Sequence, residues 1–147
     1  MSEPLAHVLI VTSRYYEEIA REIEASVMDA LRDADFTYEV IEVPGAFEVP
    51  GAIRMAIETD EFDGFVGLGC VIRGETSHYD HVCAETARAM MDISMSGSPV
   101  GFGILTCENK EQAWVRADRA QKDKGREVAD AVITMVRLNQ HFAEAND

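Results

Sequence analysis

From Gly69 the chain reads Gly-Cys-Val-Ile-Arg-Gly-Glu-Thr-Ser-His, an apolar strand pattern running into a glycine turn and then His78. Backbone N–H groups freed at such a turn and at a helix start can hold an anion, with the Thr76 hydroxyl as a further donor. A histidine at a helix N-terminus has its cationic form disfavoured, so the His78 imidazole is expected to be neutral and able to accept a proton. Anion donors beside a proton-transfer group suggest chemistry on a small phosphorylated molecule. The same residues also fit a plain glycine turn, with Thr76 or Ser77 as an N-cap and His78 on the surface. The GxxxxGK[ST] pattern is absent, so no motif supports a nucleoside triphosphate site. Glu75 is an awkward neighbour for a phosphate; its carboxylate is expected to point away or to pair with Arg73.

Three further groups could do chemistry. In Pro44-Gly45-Ala46-Phe47-Glu48-Val49-Pro50, a loop bracketed by prolines, exposed amides could meet the edge of a planar heterocycle and Glu48 could accept a ring N–H. A tight connection with a solvated Glu48 is the plainer alternative. Tyr15 and Phe102 could stack on a ring, or simply be core. Arg116 and Lys124 could supply the cation that a phosphate needs, although each alone reads as a surface charge. His81 is disfavoured as the proton carrier because it falls on another helical face from His78. The spacing of His78, Asp80, His81 and Cys83 matches neither an HExxH helix nor a paired-cysteine site, so no metal is expected. Cys83 fits an apolar helix face better than a nucleophile.

The elements that must carry these residues alternate. Val8 to Val11 is a continuous apolar run, as in a strand covered on both faces. Thr12 or Ser13 can cap the following helix, with Glu17 and Glu18 at its positive end and Ile19, Ile23, Val27 and Leu31 as its buried stripe. Thr37 to Val43 reads as a second strand, and Pro50 opens a short helix containing Ile53 and Ile57. Gly64 to Ile72 is the third strand, followed by a helix from about Asp80 to Met95 with Val82, Thr86, Ala89 or Met90, and Ile93 inward. Val100 to Thr106 is the fourth strand. Asn109 and Gln112 suggest a capping box for a helix reaching about Arg119, and the last helix points Val128, Val132, Met135 or Val136, and Phe142 inward. This is an α/β chain with a mainly parallel sheet covered by helices, and its unusual segments all fall at the carboxyl ends of strands, where ligands collect.

Length and composition agree. The 147 residues suffice for one domain with a real core, and 47% apolar content with only ten glycines and four prolines excludes a disordered or fibrous chain. A net charge of -14 opposes nucleic acid as a partner, but leaves room for a small phosphate ester held by local donors. There is no signal-peptide pattern and no membrane-spanning run. Three cysteines without paired spacing suggest a reducing, cytoplasmic setting.

Together these segments resemble the lumazine synthase family. The resemblance is carried by Ile10 to Tyr15, the Val43-Pro44-Gly45-Ala46-Phe47-Glu48-Val49-Pro50 block, Gly69 to Asp80, Phe102 to Thr106, Glu111-Gln112-Ala113 with Arg116, and Lys124-Gly125. It covers nearly the whole chain in family order. It implies a three-layer α/β/α sandwich with a four-stranded parallel sheet in flavodoxin-like order, forming a single domain over residues 1–147 with a flexible tail at about 1–6. It implies condensation of 5-amino-6-(D-ribitylamino)uracil with 3,4-dihydroxy-2-butanone 4-phosphate, releasing phosphate and water, in riboflavin biosynthesis, without a cofactor. The amino group would form a Schiff base with the butanone carbonyl, phosphate would be eliminated, and the ribityl-bearing nitrogen would close the second ring.

On this resemblance Tyr15 stacks on the pyrimidine, while Ala46 and Phe47 offer backbone contacts and Glu48 binds the ribityl chain. Val71 and Ile72 line the pyrimidine pocket, Gly74, Glu75 and Thr76 form the phosphate loop, and His78 moves protons. Phe102, Arg116 and Lys124 come from a neighbouring subunit of a homopentamer, with Arg116 on the phosphate. Some members assemble twelve pentamers into a sixty-subunit shell; the segment Ala117 to Asp123 lacks the glycines of such members, which favours a free pentamer. Tyr15, Tyr16, Glu75 and Asp123 stand where members commonly carry Phe, Asn, Ala and Asn. A backbone donor at Glu75 tolerates that exchange. The competing readings are a flavin- or lumazine-binding flavodoxin-like module, or a shell protein, without turnover.

Overall fold

The computed structural model describes residues 5–145. Four strands form one parallel sheet: β1 (Ala6–Ser13), β2 (Phe36–Val43), β3 (Gly64–Ile72) and β4 (Val100–Cys107), in the order β2-β1-β3-β4. Between and after them run α1 (Glu17–Asp33), α2 (Val49–Ile57), α3 (His78–Met95), α4 (Lys110–Ala117) and α5 (Lys124–Ala145), with a short 3-10 turn at Ala46–Glu48. The strand order is the flavodoxin-like one expected.

The side-chain alternation of β1 builds the three layers. Val8 and Ile10 enter a core with α1, α4 and α5, through Ile23, Val27, Leu31, Ala113 and Val132. Leu9 and Val11 face the other way, into a core with α2 and α3 through Val49, Ile53, Val82, Met90 and Ile93. β1 therefore has no solvent face, which is why its sequence is an uninterrupted apolar run. Among the described residues no helix is long and apolar enough to cross a membrane.

Close approach explains one glycine. A Cβ on Gly125 would lie 2.8 Å from both the Ile23 carbonyl oxygen and Ser26 Cβ, so α5 could not seat against α1 with a larger residue there. The residue two before it, Asp123, has φ 45° and its Oδ1 accepts from Ser26 Oγ at 2.5 Å. Left-handed backbone and a side-chain acceptor suit Asp as well as the Asn common in the family.

Several expectations at element ends need correction. Thr12 and Ser13 do not cap α1: both remain in β1, paired with Glu42 and Val43, and the helix opens at Glu17 with Tyr16 at the cap position and no capping side chain. α3 agrees with expectation, starting two residues early at His78, and of the alternatives Ala89 and Met90 it buries Met90. At α4 the Asn109 side chain accepts from the Gln112 N–H at 2.8 Å, but Gln112 Oε1 accepts from Glu108 N–H, one residue before the usual capping-box partner. That helix ends at Ala117, because Asp118 turns extended and its carboxylate accepts from Ala120 N–H. On α5 Val136 is buried, while Met135 and Phe142 are exposed. Of the expected tail, residues 1–4 lie outside those described; Leu5 N–H already donates to the Asp35 carbonyl, and Ala6 is a buried residue of β1.

Candidate active site

A cleft of about 710 Å³ opens where the carboxyl ends of β1, β2 and β3 meet the start of α3. Its walls include Tyr15 and Tyr16 after β1, Pro44 to Glu48 after β2, Cys70, Val71 and Ile72 at the end of β3, and His78, His81 and Val82 on α3. This is the position at which a doubly wound parallel sheet binds ligands. Two aromatic rings stand open on it, Tyr15 at 76% and Phe47 at 58% exposure. Both rings line the cleft in the open rather than being packed into the core.

The wall after β2 is built by backbone. Pro44 ends the strand, Gly45 is extended, and Glu48 N–H closes the 3-10 turn on the Gly45 carbonyl at 3.1 Å. A Cβ at Gly45 would sit 3.2 Å from Glu48 Oε1, so the glycine leaves room for that carboxylate. Pro50 then lies in the first turn of α2, where its missing N–H costs no helical bond. Ala46, Phe47 and Glu48 are thus presented together.

His78 is the first residue of α3, and its N–H donates to Thr76 Oγ1 at 3.2 Å. The Thr76 hydroxyl therefore also closes the turn into the helix. Gly74, Glu75 and Thr76 are exposed and precede the cleft wall without lining it. Arg73 does not pair with Glu75. Its Nε meets Glu108 Oε2 at 2.7 Å, its Nη1 meets Asp80 Oδ1 at 3.3 Å, and its guanidinium lies 4.3 Å from the Tyr79 ring centroid. Arg73 and Asp80 bracket the loop from both ends, so the clasp pins the loop while spending the arginine's charge on two acids.

His81 lines the same cleft as His78. Residues three apart on a helix are neighbours, so His81 does not fall on a separate face from His78 as expected. Pro44 and Gly45 of the expected loop lie on the wall, and Ser13, Tyr16, Cys70 and Val82, which carry no separate chemical signal in the sequence, line it as well.

Phe102, Arg116 and Lys124 stay outside this cleft. Phe102 projects at 43% exposure from β4, the sheet edge. Lys124 Nζ lies 3.5 Å from Glu127. Arg116 is partly buried and donates to the Gln112 carbonyl. Among the described residues no carboxylate lies within 4.0 Å of it, in a chain with twice as many acids as bases.

Burial works against thiolate formation at all three cysteines. Burial, with a smaller effect of Cys107, pushes the Cys70 thiol up to about 12, and burial also raises Cys83 and Cys107. All three are free thiols. Among the described residues no group of three His, Cys, Asp or Glu side chains is arranged to hold a metal ion.

The profile of the 6,7-dimethyl-8-ribityllumazine synthase family matches residues 6–140. The 6,7-dimethyl-8-ribityllumazine synthase of Agrobacterium fabrum is 50% identical, over 95% of this chain and 97% of its own. That of Erythrobacter litoralis is 49% identical, over 94% and 99%. The 6,7-dimethyl-8-ribityllumazine synthase 1 of Rhizobium meliloti is 49% identical, over 92% and 93%. With the family profile matched over residues 6–140 and relatives about half identical over nearly their full length, the chain belongs to the 6,7-dimethyl-8-ribityllumazine synthase family.

Proposed function

We propose that this chain is a 6,7-dimethyl-8-ribityllumazine synthase, joining 5-amino-6-(D-ribitylamino)uracil to 3,4-dihydroxy-2-butanone 4-phosphate. The observation that carries the reading is the single cleft in which Tyr15, Phe47, Glu48, Val71, Ile72 and His78 converge. It offers aromatic faces for a pyrimidine, a carboxylate for hydroxyls and an imidazole for protons, next to the exposed Gly74–Thr76 turn.

The chemistry follows from those groups. The uracil's amino nitrogen adds to the butanone carbonyl and loses water to give a Schiff base. Proton removal by His78 then expels inorganic phosphate, whose charge the loop amides and Arg116 stabilise as it departs. Tautomerisation leaves a second carbonyl, which the ribityl-bearing nitrogen attacks; loss of a second water completes the ring. Holding two substrates in register supplies much of the acceleration, because an encounter between two molecules becomes a step within one complex.

The site is completed by a neighbouring copy. Phe102, Arg116 and Lys124 lie off the cleft of their own chain, which supports a head-to-tail ring in which each copy lends them to the next. A homopentamer is the closed assembly proposed. The absence of glycine from Ala117 to Asp123 favours the free ring over the sixty-subunit shell. Three unpaired thiols fit a cytoplasmic setting.

The test is direct. Purified protein mixed with both substrates should generate lumazine absorbance and release phosphate in equal amounts. Protein that is folded and yields neither product would sink the assignment, and sedimentation separates the ring from the shell.

A further inference from the structure

An ion pair with a buried carboxylate involves Arg14, which sits in the chain between two residues that line the cleft, Ser13 and Tyr15. Glu24, on α1, is 2% exposed, a depth at which a carboxylate is costly unless donors meet its oxygens. Its hydrogen-bond donors come from β1 and the loop that follows. Thr12 Oγ1 donates to Oε2 at 2.9 Å, and Arg14 grips both oxygens, Nε to Oε2 at 3.0 Å and Nη2 to Oε1 at 2.7 Å. Arg14 Nη1 also reaches Glu42 Oε1 at 3.4 Å, near the end of β2. The hydrogen bond to Glu24 holds the Arg14 guanidinium above its ordinary pKa despite its burial.

Stability is a weak reason for such a pair, since replacing a buried ion pair with apolar groups of similar volume is often neutral or favourable. Geometry is a better one. A planar guanidinium held at two points cannot swivel, and the next residue along the chain is Tyr15. That loop is only three residues long, Arg14 to Tyr16, and no side chain caps the helix after it. Tyr15 itself has little packing; Tyr16 meets it edge-on with ring centroids 5.0 Å apart.

We propose that Glu24 and Arg14 are positioning residues, which fix the loop after β1 so that the Tyr15 ring already faces the cleft when the pyrimidine arrives. This deepens the synthase reading and rests on its assignment of Tyr15 as the stacking residue. The cost of ordering the ring is then met on folding rather than on binding.

The decisive variant is the triple T12V/R14M/E24L, which makes the whole buried group apolar and orphans no hydroxyl. It should keep the wild-type circular dichroism and sedimentation. Its KM for the pyrimidine substrate should rise about 3- to 10-fold, the scale of one aromatic contact, with the KM for the phosphate substrate unchanged. Adding Tyr15→Ala should raise it no further than Tyr15→Ala alone. A folded triple variant with wild-type KM, or with both KM values raised alike, overturns the proposal. Should the triple variant misfold, Arg14→Lys carries the test, since it keeps the charge and loses the two-point grip; a wild-type pyrimidine KM there is equally fatal. If Tyr15→Ala alone leaves the pyrimidine KM unchanged, the stacking role falls first and the positioning role with it.

Discussion

The Arg116 guanidinium donates to the Gln112 carbonyl at 2.9 Å, one turn earlier on the same helix, and no carboxylate among the described residues neutralises it. In a chain of net charge -14 such a half-buried cation suits the phosphate-binding role proposed for it. Arg116→Ala should therefore raise the KM for the butanone phosphate about 10- to 100-fold, the scale of a charge-assisted hydrogen bond, and leave the pyrimidine KM alone. Since Arg116 lies off its own chain's cleft, the loss should be complemented. Refolding equal amounts of Arg116→Ala and His78→Gln chains together should restore about a quarter of the sites in a head-to-tail ring. Kinetics of the mixed oligomer check both statements; an unchanged KM removes Arg116 from the phosphate, and no recovery on mixing removes the shared site.

What was legible in the sequence follows from how local each signal is. The apolar run of β1 and the stripe Ile19, Ile23, Val27, Leu31 on α1 are periodicities within one element, and both are buried as read. The stripe on α5 misled toward Phe142 because burial along that helix ends at Val136, where apolar spacing continues without a surface to pack on. The pairing of Arg14 with Glu24 was invisible: both residues look like surface charges until β1 and α1 are brought together. The same holds for Arg73, whose partners Asp80 and Glu108 lie on different elements, whereas adjacent Glu75 is unpaired with it. That Arg116 and Phe102 would serve a neighbouring copy is an expectation of the family resemblance alone, because no pattern within one chain encodes a partner copy.

His78 and His81 share a wall of the cleft, so substitution must decide which of them moves the proton. His78→Gln should lower kcat about 100-fold, the lower end of what a positioned proton carrier contributes, and should flatten the pH dependence of kcat. His81→Gln should leave the shape of that profile intact. The measurement is kcat across pH for both variants, and a profile flattened only by His81→Gln would transfer the role.

Two glycines should respond to alanine in opposite directions. Alanine is the better helix former by up to about 1 kcal/mol, which favours the exchange at both sites. At Gly51 a Cβ would meet nothing within 4 Å, so Gly51→Ala should stabilise the chain by up to that amount. At Gly125 the added Cβ would press on the Ile23 carbonyl and Ser26 Cβ at 2.8 Å. Neither neighbour is the far end of a flexible side chain, and overpacking of this kind costs about 1–3 kcal/mol, so the clash should win. Urea denaturation of the two variants checks the signs.

Cys70 makes a prediction about alkaline pH. Burial raises its thiol from 9.0 to about 12, so between those values the folded chain holds a proton that the unfolded chain releases. The group's contribution to stability is complete below the unfolded value and is lost progressively as pH rises toward the folded one. Tyr16 and Tyr79, also raised chiefly by burial, add in the same direction at higher pH. Stability by urea denaturation should thus fall between about pH 9 and about pH 12, and Cys70→Ala should make that fall shallower even though it lowers stability at the start. Near neutral pH the same protonation should make Cys70 unreactive toward iodoacetamide, although it lines the cleft. A Cys70→Ala variant with an undiminished alkaline decline, or rapid alkylation of Cys70 in folded protein at neutral pH, would show that the buried thiol does not govern this behaviour.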